Sequence, residues 1–323
     1  MFALGLQGSP RKKGNTQYLL SKFMDGLSAA GAETRVIEPA RENIRPCRGC
    51  GYCEKKGYCV IADDDMAGHV YADFRRADIV VSATPIFFYS ATAQLKALID
   101  RSQALWSRKY ALKRNEPGKN SRKGFMLALG ATKGANLFEG LTLTHRYFFD
   151  ALSAGFHGSL TYRRIEKAGD IQKYGDLEKE VREAAASLMA PFSKRKTVLF
   201  ACRENACRSQ MAGAFARLHA GDKLDVMTGG SEPAEEVNPM MVEAMEEKGV
   251  DMAFLAPSSF EDAISKNAPD LIFTMGCAEQ CPAVPGATVT DWDIPDPAGK
   301  DLALMRKTRD EIERRVLDLA QKI

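Results

Sequence analysis

The sequence predicts two α/β domains in tandem, each a doubly wound parallel sheet. Three observations predict it. Apolar runs of strand length alternate with segments of helical periodicity along all 323 residues. A connector at 185–197, carrying Pro191, Ser193 and three consecutive cations, interrupts that alternation. The run TVLFA (197–201) then begins a fresh buried-strand pattern. The length suffices for two domains, each with its own core, and the boundary is placed between 1–190 and 191–323.

In the first domain, strands are expected near 2–6, 34–38, 78–83, 124–129 and 156–162, where short apolar runs lie between turn-forming residues. Helices are expected near 16–30, 66–76, 90–104, 136–153 and 174–188, each with apolar residues on one face. Five such units suggest the flavodoxin-like order, in which ligands bind beyond the carboxyl ends of the strands. In the second domain, strands near 197–201, 224–228, 270–274 and 287–290 precede a long amphipathic helix at 302–321.

The net charge of +3 conceals an asymmetry: 29 Lys/Arg against 20 Asp/Glu in residues 1–190, and 16 against 22 in residues 191–323. A modestly basic first half suits anionic cofactors but is too weakly charged to suggest nucleic acid. The densest basic run, Arg108 to Lys123, reads as a solvated loop. FALGLQ is too short for a signal segment, and no apolar run approaches the ~18 residues of a membrane-spanning helix. A cytoplasmic protein is expected. Its eight cysteines should then be reduced, metal-bound or catalytic rather than structural disulfides.

The sharpest chemical signal is Cys202-Arg-Glu-Asn-Ala-Cys-Arg208-Ser209 between a strand and the helix-favouring QMAGAFARLHA. A loop of this kind turns backbone N–H groups inward at a helix N-terminus, where they hold a tetrahedral oxyanion and favour a thiolate. Arg208 supplies a planar fork for two oxyanion oxygens. Cys202 is the candidate nucleophile. Asn205, Ser209 and Cys207 are assigned to the anion-binding loop, with Cys207 packed inside it and Asn205 orienting it.

Two further segments stand out in the first half. Gly8-Ser-Pro-Arg-Lys-Lys-Gly-Asn-Thr16 joins the first strand to the first helix with the donors a terminal phosphate needs, and Thr84-Pro-Ile-Phe-Phe-Tyr-Ser90 can cover a flat ring. Together with QLKALIDR (94–101), they make residues 1–165 resemble the NAD(P)H-dependent FMN reductases. That resemblance implies FMN, with NAD(P)H as electron donor. Ser9, Arg11, Asn15 and Thr16 would surround its phosphate, while Pro85, Ile86, Phe87, Phe88 and Ser90 would line the isoalloxazine. Cys47, Cys50, Cys53 and Cys59 lie within thirteen residues. A [4Fe–4S] cluster, a structural zinc and free thiols all remain open to such spacing. The spacing resembles that of the iron–sulfur flavoproteins of the same fold.

The second half resembles the low-molecular-weight tyrosine phosphatase fold, shared by phosphatases and thiol-relay arsenate reductases. Asp296-Pro297 matches the family's general acid. Ala298-Gly299 stand where phosphatases usually place a Tyr, and TMGCAEQCP adds a thiol pair, Cys277 and Cys281, that hydrolysis does not need. The resemblance therefore implies arsenate as substrate: attack by Cys202, protonation by Asp296, release of arsenite by Cys277 and resolution by Cys281. The disulfide would be reduced through FMN or by thioredoxin, and a homodimer is open to the chain. The rival is a tyrosine phosphatase with a regulatory or independent flavin domain. His69, His145, His157 and His219 form no cluster in sequence and receive no functional role.

Overall fold

The computed structural model describes residues 1–265, 267–276 and 284–323. The chain parts into two compact units, one of Met1–Lys113 with Ser121–Pro191, the other of Arg114–Asn120 with Phe192–Ile323.

The first unit runs β1 (Phe2–Gln7), α1 (Asn15–Ala29), β2 (Glu33–Ile37), α2 (Tyr52–Lys56), a π-helical turn (Met66–Val70) leading into α3 (Tyr71–Arg76), β3 (Ile79–Pro85), α4 (Ala93–Arg101), α5 (Gln103–Tyr110), β4 (Lys123–Gly130), α6 (Glu139–Ala151), β5 (Gly155–Arg163) and α7 (Leu177–Met189). All pairings are parallel, in the order β2-β1-β3-β4-β5. That is the flavodoxin-like order, and its switch point lies between β1 and β3. β1, β3 and β4 are buried almost throughout, as central parallel strands covered on both faces must be.

The second unit runs β6 (Lys196–Cys202), α8 (Arg208–Ala220), β7 (Leu224–Gly230), α9 (Pro239–Glu247), α10 (Phe260–Ile264), β8 (Leu271–Met275), β9 (Thr288–Asp291) and α11 (Leu302–Lys322). Its parallel sheet has the order β7-β6-β8-β9. α8 is buried on nearly every side, since β6, β7 and α11 all pack on it. The small residues in MAGAFA permit this: a Cβ on Gly213 would lie 2.5 Å from Thr228.

The basic run 108–123 is not the solvated loop expected. Arg108 lies in the last turn of α5 and is buried. Arg122 is also buried, and its guanidinium donates to the carbonyls of Ala77, Leu152 and Arg75, each at 2.7 Å. Three convergent carbonyls satisfy a charge that burial alone would make costly. Arg114–Asn120 belongs to the second unit, where Asn115 pairs with Gly249 and Asp251 through backbone bonds of 2.6 and 2.9 Å and Arg114 pairs with Glu246 at 2.9 Å. The helix expected over 90–104 is two helices meeting at Ser102, and α2, α9 and α10 add to the expected set. Among the described residues, no helix is long and apolar enough to cross a membrane.

Candidate functional site

Cys202 is the last residue of β6, and α8 begins at Arg208, so the intervening five residues form a tight loop beyond the strand's carboxyl end. The loop's carbonyls are turned outward. Those of Arg203, Glu204 and Ala206 accept from the amides of Glu232, Ala234 and Asn238 at 2.9–3.0 Å, and that of Asn205 accepts from Gln210 Nε2 at 3.0 Å. This arrangement leaves the amides to face the loop's centre, the geometry of an anion-binding nest. Gly230 makes room for the backing turn, because a Cβ there would lie 2.6 Å from the Arg203 carbonyl.

Asn205 holds the loop's bend. It is fully buried with φ +49°, a left-handed conformation that Asn tolerates better than most residues. Its Oδ1 accepts from Gln210 Nε2 (3.0 Å) and the Ser258 amide (2.9 Å), and its Nδ2 donates to Ser209 Oγ (2.8 Å). Ser209 Oγ lies 3.0 Å from Cys202 Sγ. With its oxygen accepting from Asn205, the hydroxyl proton is free to donate to the Cys202 sulfur.

Arg208 is buried, donates from Nη1 to the Ile294 carbonyl (3.0 Å) and pairs through Nη2 with Asp296 Oδ2 at 2.9 Å. The nucleophile loop, its guanidinium and the candidate acid therefore meet in one place, although Asp296 is 94 residues from Cys202 in sequence. Gly276 lines the same spot at φ +74°, and a Cβ there would lie 2.8 Å from Arg208 Nη1. Cys207 departs from its expected role. Its thiol turns into the apolar core, toward Met305 Sδ at 3.5 Å, and burial, with Cys202 and Asp296 nearby, pushes its pKa up to about 12. Only its backbone amide is left for an anion. Cys277 and Cys281 lie outside the described residues.

In the first unit, the loop after β1 and the loop after β3 stand at the switch point. The Gly8 amide donates to the Ala83 carbonyl (2.7 Å), and Thr92 Oγ1 donates to the Gly8 carbonyl (2.5 Å). α1 has no acidic residue in its first turn and no side-chain cap, so the positive end of its dipole is uncompensated. Ser9 and Thr16 are buried beside it, and Arg11 is exposed on the loop. A terminal phosphate fits this donor set. Asn15 is engaged differently. Its Oδ1 accepts from the Gly169 amide (2.9 Å), and its Nδ2 donates to the Lys167 carbonyl (2.8 Å), tying down the loop after β5.

Pro85 ends β3, and Ile86 donates its amide to Leu129 (2.8 Å). Phe87 and Ser90 exchange backbone bonds of 3.0 Å around Phe88 and Tyr89, which have φ +49° and +59°. This tight turn ordinarily demands Asn or Gly at both central positions. Holding two aromatic residues there is strained, and Phe88 is left fully exposed at its tip.

Cys47, Cys50, Cys53 and Cys59 all line one cavity of ≈ 410 Å³, with Arg48, Glu54, Asp100 and Arg101 among its other walls. The Gly49 amide donates to Cys47 Sγ and Ser107 Oγ to Cys53 Sγ, both at 3.4 Å. Among the described residues, no three of these sulfurs lie within 4.8 Å of one another. Four thiolates on a single zinc would be about 3.8 Å apart, given Zn–S bonds of about 2.3 Å.

Both ends of this cysteine segment are clamped by Arg101, a residue that no motif singles out. Its guanidinium donates to Asp64 Oδ2 (2.5 Å) and Oδ1 (3.1 Å), and to the carbonyls of Arg45 (2.9 Å) and Ile61 (3.0 Å). Its only signal in the sequence is an Arg closing the apolar helix QLKALIDR, and burial cannot be read from that. His145 is also buried: Nδ1 donates to the Leu141 carbonyl (3.0 Å), so Nε2 accepts from Ser82 Oγ (2.8 Å). This neutral imidazole is a core residue.

Residues 1–140 match the family model for NADPH-dependent FMN reductase, and residues 197–323 match that for low molecular weight phosphotyrosine protein phosphatase. The chain is 36% identical over 134 residues to arsenate reductase 1 of Staphylococcus epidermidis, a match covering 40% of this chain and 99% of that protein. It is 35% identical over 129 residues to an iron–sulfur flavoprotein of Methanosarcina thermophila, covering 40% of this chain and 63% of the relative. An iron–sulfur flavoprotein of Methanocaldococcus jannaschii matches at 36% over 105 residues, covering 32% and 53%. The chain thus spans between half and two thirds of the length of these two flavoproteins.

Proposed function

Since the chain belongs to the arsenate reductases built on the low molecular weight phosphotyrosine protein phosphatase fold, behind a segment matching the NADPH-dependent FMN reductases, we propose that it reduces arsenate with electrons from NAD(P)H passed through its own FMN domain. The observation that carries the reading is the convergence of Cys202, Ser209, Arg208 and Asp296 on one inward-facing amide loop.

Arsenate enters the loop and takes over the Arg208 guanidinium. The Cys202 thiolate attacks arsenic, an As–O bond breaks, and Asp296, which takes up a proton from solvent once the anion has displaced it from Arg208, delivers that proton so that water leaves. The resting Arg208–Asp296 pair keeps the acid beside the site until the anion displaces it. A second thiol, assigned to Cys277, then attacks Cys202 Sγ. An S–S bond forms, the S–As bond breaks, and its electron pair stays on arsenic, which leaves as arsenite. The two thiols supply the two electrons, and Cys281 resolves the disulfide.

The chemistry that FMN would supply there is acceptance of hydride from a nicotinamide and onward transfer of electrons singly or in pairs. The N-terminus of α1, Ser9, Arg11 and Thr16 would hold its phosphate, and the Pro85–Ser90 turn would border its ring. The cysteine quartet would hold an iron–sulfur cluster, a reading supported by the cavity that all four cysteines line.

The test is arsenate reduction by the purified full chain with NAD(P)H and no thioredoxin. Arsenite formation with stoichiometric NAD(P)H oxidation is expected. Dependence on added thioredoxin would remove the internal electron route. Turnover of an aryl phosphate that survives Cys277→Ser, with no arsenite formed, would instead make the chain a phosphatase.

A further inference from the structure

A serine hydroxyl inside a helix ordinarily bonds back to the carbonyl four residues earlier. Ser102 does this at the junction of α4 and α5, donating to the Leu98 carbonyl at 3.1 Å. Ser107, five residues later and fully buried, points at sulfur, and its Oγ lies 3.4 Å from Cys53 Sγ. Cys53 is half-buried, whereas Cys47 and Cys50 are exposed, so this is a comparatively shielded bond of the quartet. A hydroxyl directed at a sulfur gains most when that sulfur carries negative charge, as a metal-bound thiolate does.

We propose that Ser107 is a positioning residue acting through Cys53, its hydroxyl fixing that thiolate and raising the reduction potential of the cluster the quartet holds. The inference rests on the cluster reading above. A reduced cluster carries one more negative charge than the oxidised form, and that charge spreads onto the ligating sulfurs. A donor to one of those sulfurs stabilises the reduced form and moves the potential upward. Two neighbours act in the same direction. The Gly49 amide donates to Cys47 Sγ, and the buried Arg101 guanidinium interacts electrostatically with Cys59. Ser107 is the one of the three that can be changed without disturbing the loop's backbone or its clamp, because its side chain bonds to no carbonyl.

The experiment uses the full chain, reconstituted anaerobically with iron and sulfide, as wild type, Ser107→Ala and Ser107→Thr. Iron per chain is measured, and the midpoint potential is followed through the cluster's paramagnetic resonance, which is separate from the flavin absorbance. Ser107→Ala should bind as much iron as wild type, with its midpoint shifted to a more negative value, while Ser107→Thr, which keeps the hydroxyl, should stay near the wild-type value. A Ser107→Ala cluster at the wild-type potential overturns the assignment while leaving the cluster in place. Loss of iron in Ser107→Ala, from protein that melts like wild type, overturns tuning in favour of a role in assembly. Wild type that takes up no iron overturns the cluster reading and this inference together.

Discussion

Arg101 and Asp64, both wholly buried, form a two-bond ion pair that joins the entrance and exit of the cysteine segment. Asp64 also accepts from the amides of Arg45 and Ala67, so the residues before Cys47 and after Cys59 are fastened to one carboxylate. The four thiols are thereby held in a common cavity by protein groups alone. Burial raises the Asp64 pKa, but Arg101 and the two amides more than offset this and hold it below its ordinary value.

Asp64→Ala should therefore leave an uncompensated buried guanidinium and cost about 3–5 kcal/mol. Denaturant titration of the apo chain would measure the loss. Replacing both partners with apolar residues, as in Arg101→Met with Asp64→Leu, should cost less than Asp64→Ala alone. Since the native Asp64 pKa lies below 3.8, the pair's contribution is complete above that value and is lost as pH falls through the native pKa.

His145 predicts a second acid sensitivity. Burial, only partly offset by the bond to Leu141, lowers its pKa from 6.5 to about 4. The unfolded chain then binds a proton the native state refuses, so stability is full above 6.5 and falls as pH drops toward 4. The loss should be about 2 kcal/mol on going from roughly pH 8 to roughly pH 5. Denaturation curves at both pH values should show it, and His145→Asn should flatten that pH slope.

The thiols of the second unit should differ sharply in reactivity. Cys202 sits beside the Ser209 hydroxyl, whereas the Cys207 thiol stays protonated in the core. Brief alkylation of the native chain near neutral pH should label Cys202 and spare Cys207, read by peptide mass mapping. Cys202→Ser should abolish arsenate reduction, while Cys207→Ala should keep it at reduced stability.

Asp296→Asn separates binding from chemistry. The substitution removes the acid and releases Arg208 from its carboxylate partner. Turnover should fall by about 10²–10⁴-fold. Phosphate, as a competing oxyanion, should inhibit as tightly as in wild type or more so. Weaker phosphate binding in step with the lost turnover would mean that Asp296 serves the loop's structure. Arg208→Ala should lose both binding and turnover.

The architecture and the nucleophile loop were legible in the sequence because both depend on local pattern. Apolar periodicity marks strands and helices, and Cys-x5-Arg-Ser after a buried strand admits few backbone paths. The Asn15–Gly169 and Arg101–Asp64 bonds were not legible, since each joins elements far apart in the chain whose approach the sheet order decides. Asn15 looked like a phosphate ligand because its position in the loop resembled one, yet a nearer backbone claimed its amide. Cys207 and Ser107 make the same point at a finer scale. Sequence placed one in an anion loop and left the other beyond the end of the helix expected over 90–104. Only packing decided that the first thiol turns into apolar surroundings and stays protonated, and that the second residue's hydroxyl meets the Cys53 sulfur. Residue type and spacing determined which chemistry the chain can carry; burial and long-range partners decided which of those groups are charged, held and free to react.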